Sequence, residues 1–396
     1  MTAPMPPLRI LFVITDLEVG GAERMLLKLV SRMAPSNELA VVSLTGRGSM
    51  ATEFESAGAA VTALGMTGAL SLPAAVARLA RRLRAWRPQL VSTWMYHADL
   101  VGGLAARIAG PRAVAWNIRN SDLSSAHTSR ATRAVVRANA LLSGTLPRKI
   151  LCCSDTARRI HVELGYRDDR FQLIPNGFDL QQFRPSAEAR ASVRRELGLR
   201  EDDVLIGLVA RWHPHKDQPG FIRAAAALGQ RHPEAHFVLV GDRCDDGNPE
   251  LARLVQEAGL AGRVHLLGLR SDIPRLTAAL DIATSASIGE AFSNTLGEAM
   301  ACAVPCVTTD VGDSAYIVGD TGAVVPPRDP LALAQAWAGL LDMPDAQRRE
   351  TGERARERVS REFEIGVVTR RYETAFRELI HGPHAGMDRN TTSCAE

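Results

Sequence analysis

S-I-G-E-A-F-S-N-T-L-G-E-A-M-A, residues 287–301, places two carboxylates, Glu290 and Glu298, eight positions apart across a loop-to-helix junction. Thr284, Ser285 and Ser287 lead into it, and Ser293, Asn294 and Thr295 lie between the glutamates as residues suited to cap a helix. A helix starting near Asn294 would turn its free backbone N–H groups towards the space that Glu290 borders. Such an end favours an anion, a phosphate above all. Glu298, just over a turn further in, would lie where a carboxylate can grip a vicinal diol. A strand, a polar loop with a carboxylate, a helix N-terminus and a second carboxylate together describe a pocket for a sugar nucleotide. Taken alone, the same residues fit equally well two solvated glutamates that complement a helix dipole.

Outwards from this stretch, the chain alternates apolar strands with amphipathic helices, the pattern of parallel α/β sheets. One set of strands is expected at 8–15, 39–44, 60–64, 90–93, 113–116 and 150–154, with helices at 22–33, 73–86, 100–108 and 156–164. A second set is expected at 204–210, 236–240, 264–266, 282–284, 306–308 and 323–325, followed by helices at 330–341, 345–363 and 367–380. Between the sets, I-P-N-G-F-D at 174–179 reads as a Pro/Asn/Gly turn, and a polar segment follows to about residue 195, a natural hinge. Two α/β domains joined there would form a cleft between two groups of strand C-terminal ends, where ligands bind in such sheets.

Composition bounds the function. A chain of 396 residues suits two domains, and 46% hydrophobic with 23% charged residues is an ordinary globular balance. A net charge of +3 argues against bulk nucleic-acid binding. No apolar run approaches the roughly 18–20 residues needed to span a bilayer. The N-terminal segment lacks a signal-peptide core, so a cytoplasmic protein is expected. The six cysteines suggest no disulfide framework, and Cys302 and Cys306 lack nearby partners for zinc. The acidic loop D-R-C-D-D at 242–246 reads as a solvated loop rather than a metal site.

Several loops add chemistry. V-A-R-W-H-P-H-K-D at 209–217 follows the first strand of the second set and sets Arg211 and Lys216 five apart. A forked guanidinium and a point-charge ammonium suit a nucleotide diphosphate in a water-poor cleft, although two solvated surface cations would look the same. His213 and His215 in this loop have no evident role. Gly20 and Gly21, in T-D-L-E-V-G-G-A-E at 15–23, allow close backbone approach to a ligand or make a plain tight turn. The G-x-G-x-x-G dinucleotide fingerprint is missing. His97 and Asp99 in T-W-M-Y-H-A-D (93–99) and Asn117, Arg119 and Asn120 in W-N-I-R-N-S-D (116–122) follow strands of the first set and would border the same cleft. Basic helical faces at 78–87 and 130–137, with Arg148 and Lys149, fit anionic lipid headgroups or solvent equally.

Taken together these motifs resemble the retaining glycosyltransferases of family 4, the "group 1" family with the GT-B fold. The resemblance covers nearly the whole chain. It rests on E-A-F-S-N-T-L-G-E-A-M-A, with seven residues between its two glutamates, on V-A-R-W-H-P-H-K-D, I-P-N-G-F-D, L-G-L-R-S-D-I-P (267–274) and V-G-G-A-E. It implies two Rossmann-like domains with parallel sheets facing a central cleft. Residues 1–178 would bind the acceptor and 179–365 the nucleotide sugar. A helix at 366–382 would cross back to the first domain, and 383–396 would be a disordered tail.

The same resemblance implies roles. Arg211 and Lys216 would hold the diphosphate, Glu298 the ribose hydroxyls, and Glu290 the donor sugar near the reacting carbon. Leu269 and Arg270 would border the base. Phe292, Ser293, Asn294 and Thr295 would supply N–H donors to the phosphates, with Gly20 and Gly21 closing over the donor. His97, Asp99, Asn117 and Arg119 would face the acceptor. No metal and no cofactor is expected, the nucleotide sugar being a substrate. The wording of T-W-M-Y-H-A-D and W-N-I-R-N-S-D resembles enzymes of capsule, exopolysaccharide and lipopolysaccharide pathways. With the basic helices it implies a lipid-linked or polysaccharide acceptor and peripheral contact with the inner face of the membrane; the sequence does not fix the donor, for which a UDP-linked hexose or N-acetylhexosamine is expected, with GDP-mannose as the alternative.

Two departures stand out. The histidine that many members carry in the W-N-I-R-N loop is missing, and D-S-A-Y at 313–316 replaces a Gly-x-Pro-Glu pattern, removing an acid. The alternatives are a sugar-nucleotide 2-epimerase or phosphorylase on the same fold, and a non-catalytic sugar-nucleotide-binding subunit.

Overall fold

The computed structural model describes residues 6–110, 113–121, 123 and 128–382. Asp122, Cys394 and the expected tail at 383–396 lie outside the described residues. Within them, β1 (Arg9–Ile14), β2 (Glu38–Ser43), β3 (Ala60–Ala63), β4 (Leu90–Trp94), β5 (Ala113–Ile118), β6 (Lys149–Cys152) and β7 (Phe171–Leu173) make one sheet, in the order β3-β2-β1-β4-β5-β6-β7. A second sheet has the order β10-β9-β8-β11-β12-β13, from β8 (Val204–Val209), β9 (Ala235–Val240), β10 (Val264–Leu266), β11 (Ile282–Ser285), β12 (Cys306–Thr309) and β13 (Gly322–Val325). All pairings are parallel.

Strand order reverses direction between β1 and β4 in one sheet and between β8 and β11 in the other. Loops leaving the two strands at such a point diverge to opposite faces and open a crevice between them. The segments that carry Gly20–Gly21, His97, Arg211–Lys216 and Glu290 directly follow β1, β4, β8 and β11. The fold therefore gathers them at two switch points.

Both faces of each sheet are covered, as parallel sheets require. In β1, Ile10, Phe12 and Ile14 enter one core while Leu11 and Val13 enter the other, the period-two alternation of a pleated strand. The C-terminal helix Ile365–His381 belongs to the first domain's core, burying Val368, Tyr372, Phe376 and Leu379 with Phe12 and Ile14. The preceding helix, Asp345–Glu362, buries Ala355 and Val359 in the second domain.

The chain thus crosses between the domains twice, and the two crossings pair. Phe178 N donates to Phe363 O at 2.8 Å, and Ile365 N donates to Phe178 O at 2.9 Å. The fully buried Phe178 ring stacks on Phe292, with centroids 6.3 Å apart. Gly297 lies against it so closely that a Cβ there would come within 2.1 Å of two ring carbons. Gly297→Ala should lower stability by about 1–3 kcal/mol, the usual cost of overpacking. An unchanged thermal midpoint would show instead that the ring can retreat.

Two local differences from the sequence reading matter. β7 carries only three residues, too few to show alternation. The helix expected at 100–108 spans Tyr96–Ala109, because a single residue, Met95 at φ 72°, turns the chain directly from β4 into the helix. His97 and Asp99 therefore lie in a helical first turn rather than in an open loop.

Candidate functional site

The loop after β8 ends in a short helical turn, Pro214–Lys216, whose proline suits a first helical position. Asp217 then caps the helix Gln218–Gly229, accepting from Gly220 N at 3.0 Å. This turn projects Lys216 towards the loop after β11, and the two loops are joined where Ile288 N donates to His215 O at 2.8 Å. Lys216 Nζ donates to Glu290 Oε1, and Ser287 Oγ donates to the same oxygen at 2.8 Å. Lys216 is 29% and Glu290 14% exposed, so the pair is shielded yet reachable. Arg211 is exposed, and its carbonyl is held by Gln218 Nε2 at 2.7 Å.

Residues 294–301 form a helix, Asn294–Ala301, as the capping pattern predicts. Ser293 precedes it without a side-chain cap, so the hydroxyl leaves the first-turn N–H groups to another acceptor. Gly21 approaches this helix end from the first domain: a Cβ there would lie 3.7 Å from Asn294 Nδ2. Phe292 is committed to the hinge cluster and offers only its backbone to the cleft. Leu269 is exposed, whereas the Arg270 guanidinium is engaged by Asp272 at 2.9 and 3.0 Å and by Glu196 at 2.9 Å. Any contact of Arg270 with a base would therefore come from its backbone.

Glu298 faces the helix Gly21–Met33 of the first domain. Burial pushes its carboxyl up to about 6, against the opposing charges of Lys28 and Arg24. Burial also pulls the Lys28 ammonium below its usual value, with Glu298 raising it. Lys28 Nζ lies 3.4 Å from Gly177 O and over the Phe178 ring. Neither Lys28 nor Arg24 stands out in the sequence; the signal was their i, i+4 spacing on the helix that follows Gly20–Gly21.

On the first-domain side, two expected acceptor contacts prove to be interior. Asp99 is fully buried, accepts from Thr93 Oγ1, and leaves its second oxygen unpartnered. Burial holds its carboxyl well above the usual range, against the hydrogen bond from Thr93. Asn117 is also fully buried. Its amide donates to Ser92 Oγ (3.0 Å) and Thr93 O (2.9 Å), and it accepts from Tyr372 Oη (3.3 Å). The reason is that β5 runs to Ile118, past the expected end at 116, so Asn117 is a strand residue tying the sheet to the C-terminal helix. His97 is partly buried, and burial lowers its pKa. Arg119 lies over the Trp94 ring at 4.9 Å and donates to Asn176 Oδ1 at 2.7 Å.

Asp313, read as part of a departure that loses an acid, reaches across the cleft. Its carboxylate accepts from Asp155 N at 2.8 Å and Thr156 N at 3.1 Å, capping the helix Asp155–Glu163 of the first domain. A charged acceptor at a helix N-terminus is favoured by the helix dipole.

Two family models match complementary parts of the chain, "Glycosyltransferase Family 4" over residues 19–182 and "Glycosyl transferases group 1" over 203–343. The chain belongs to glycosyltransferase family 4. Its paired parallel sheets are those of GT-B glycosyltransferases. It is 35% identical to a D-inositol 3-phosphate glycosyltransferase of Salinispora tropica, over 49% of this chain and 43% of that protein. It is 25% identical to the UDP-Gal:alpha-D-GlcNAc-diphosphoundecaprenol alpha-1,3-galactosyltransferase of Escherichia coli, over 61% of this chain and 62% of that one. It is 26% identical to the putative glycosyltransferase EpsF of Bacillus subtilis, over 76% and 79% of the two chains. The chain thus spans about half the length of the first two of these relatives. Among solved structures, Anabaena HepE in complex with UDP superimposes with a TM-score of 0.81 at 25% identity, covering 93% of this chain and all of that one.

Among the described residues, no three His, Cys, Asp or Glu side chains cluster in a way that could hold a metal ion. Among the same residues, no helix is long and apolar enough to cross a membrane.

Proposed function

We propose that this transferase moves a hexose or N-acetylhexosamine from a UDP-sugar to a lipid-linked or growing polysaccharide acceptor, with retention at the anomeric carbon and without a metal. The observation that carries this reading is the convergence of Lys216, Glu290 and the uncapped start of the helix Asn294–Ala301 on one side of the cleft, with Gly21 opposite. Cationic and N–H donors there match a departing diphosphate. In the front-face reaction this suggests, the bond from the anomeric carbon to the diphosphate oxygen breaks. The acceptor oxygen bonds on the same face, and its proton passes to the departing phosphate oxygen. Arg211, Lys216 and the helix N-terminus supply the positive charge that other transferases draw from a metal.

UDP as the nucleotide is supported by the UDP complex of the HepE relative and by the UDP-galactose donor in the name of the Escherichia coli relative. That second name, with its diphosphoundecaprenol acceptor, also supports a lipid-linked acceptor. A peripheral position on the cytoplasmic face of the membrane is supported by the helix Arg130–Leu142, which presents Arg130 and Arg137 beside the 86% exposed Leu141. The decisive test is a thermal-shift series of nucleoside diphosphates. UDP at about a hundred times its Kd should raise the melting temperature by about 5 °C, ahead of GDP and ADP. No shift with UDP would remove the donor assignment.

A further inference from the structure

Asn176 belongs to the turn between the domains, and its only evident task in the sequence is to make that turn. In the fold it is buried, 8% exposed, with both ends of its amide in use. Its Oδ1 accepts from Arg119 Nη1 at 2.7 Å, and its Nδ2 donates to Asn294 Oδ1 at 2.8 Å. Asn294 is the first residue of the helix Asn294–Ala301. A continuous chain of hydrogen bonds therefore runs from the end of β5, through the hinge, to the first turn of the helix that faces the donor.

Each link is fixed by chemistry. Arg119 can only donate, so the Asn176 oxygen must face it, and the Asn176 amide N–H groups are then turned towards Asn294. The guanidinium lies against the Trp94 and Tyr372 rings, 4.9 and 5.6 Å from their centroids, and the two rings stack on each other at 6.2 Å. It also approaches Ile174 O at 3.4 Å. Its Nε and Nη2 are shielded from solvent without a hydrogen-bond partner. A guanidinium with two donors left without a hydrogen bond among the described residues is costly, so its short bond to Asn176 is strongly favoured. Trp94 ends β4 and Tyr372 lies on the C-terminal helix, so the anchor at the Arg119 end is rigid.

We infer that Asn176 is a positioning residue for the donor diphosphate. By holding Asn294, it sets the direction of the first-turn N–H groups at the start of Asn294–Ala301, and it ties that setting to the first domain through Arg119. This inference rests on the donor reading above. It deepens that reading by making phosphate recognition depend on a residue outside the phosphate-binding loops.

The test compares UDP with uridine, because only the former uses the helix end. Dissociation constants are measured for the wild type, Asn176→Ala, Asn294→Ala and the double variant. The advantage of UDP over uridine should shrink about five- to tenfold in each single variant, with uridine binding unchanged, in line with one lost hydrogen bond. The double variant should be no worse than Asn294→Ala, because the two residues act in series. Asn294→Ala leaves the Arg119–Asn176 bond in place and so reads the effect even where Asn176→Ala folds poorly. A wild type that prefers UDP while Asn294→Ala keeps the full preference, or additive losses in the double variant, would overturn the inference alone. A wild type that binds UDP no better than uridine would overturn the donor reading and this inference with it.

Discussion

Lys216→Ala should lower kcat by about two to three orders of magnitude, the usual loss when one preorganised donor to developing negative charge is removed. As the bond to the anomeric carbon breaks, charge accumulates on the diphosphate, and Lys216 is the shielded cation placed beside the helix end by the loop after β8. Glu290 and Ser287 hold it: Lys216 Nζ and Ser287 Oγ share Glu290 Oε1. That shared oxygen gives the ammonium a defined place before substrate arrives, which lessens the reorganisation needed in the transition state. The loss should fall mainly on kcat, with a smaller rise in the donor KM, because the interaction strengthens as the phosphate departs. Lys216→Arg should recover only part of the activity, since a planar fork cannot replace a point charge in the same turn. Steady-state kinetics with a UDP-sugar and a lipid-linked acceptor would check this; turnover within a few-fold of wild type would remove Lys216 from the chemistry.

The second large effect concerns pH. Donor affinity should fall about tenfold between pH 7 and pH 5, because a carboxyl titrating near 6 is mostly ionised at the first pH and mostly protonated at the second. Only the ionised Glu298 accepts hydrogen bonds from both hydroxyls of a ribose. A nucleotide sugar is the right probe, since its diphosphate is a diester without a proton to gain in this range. Glu298→Gln should bind the donor weakly at every pH and lose the dependence, which separates Glu298 from His97. For stability the sign is opposite. Burial raises the folded pKa of Glu298 above its ordinary value of 4.5, so its contribution is fully present below that value and is lost as pH rises through about 6. The unliganded protein should therefore gain stability from this group on mild acidification while losing donor affinity. Donor titrations and thermal melts across pH 5–8 would show both trends, and a pH-independent donor Kd would remove Glu298 from the ribose.

Much of this arrangement is legible in the amino-acid sequence. Strands β1, β2, β8 and β9 are bracketed by turns and rich in branched residues, so they were placed within a residue or two. The helix start at Asn294 followed from the Ser-Asn-Thr run, and the helix Pro330–Leu341 from its own proline. Short or displaced elements were missed for definite reasons. Three-residue β7 has no period to detect. The helix at Tyr96 begins after a single left-handed residue, Met95, which no propensity favours.

The loops that carry Lys216 and Glu290 at strand ends are legible because each holds its charge in local sequence. The burial of the first-domain candidates is not. Asp99 and Asn117 look like polar loop residues, yet one lies on the inner face of a helix and the other inside a strand, where every polar atom but one Asp99 oxygen is engaged.

What the amino-acid order determined by itself was local: which segments become strands, where helices begin, and which loops hold a charge or a glycine at a strand's C-terminal end. These follow from hydrophobic period and capping chemistry acting over a few residues. The tertiary structure alone decided which charges meet. Lys216 and Glu290 lie 74 positions apart, and Asp313 and the helix it caps about 158. Glu298 meets Lys28 and Arg24 of the other domain, and Asn176 bridges Arg119 and Asn294 across the hinge. Such pairings depend on strand order and on how two sheets face one another. Their strength depends on burial, which lowers the local dielectric and gives a partner a value that no spacing along the chain records.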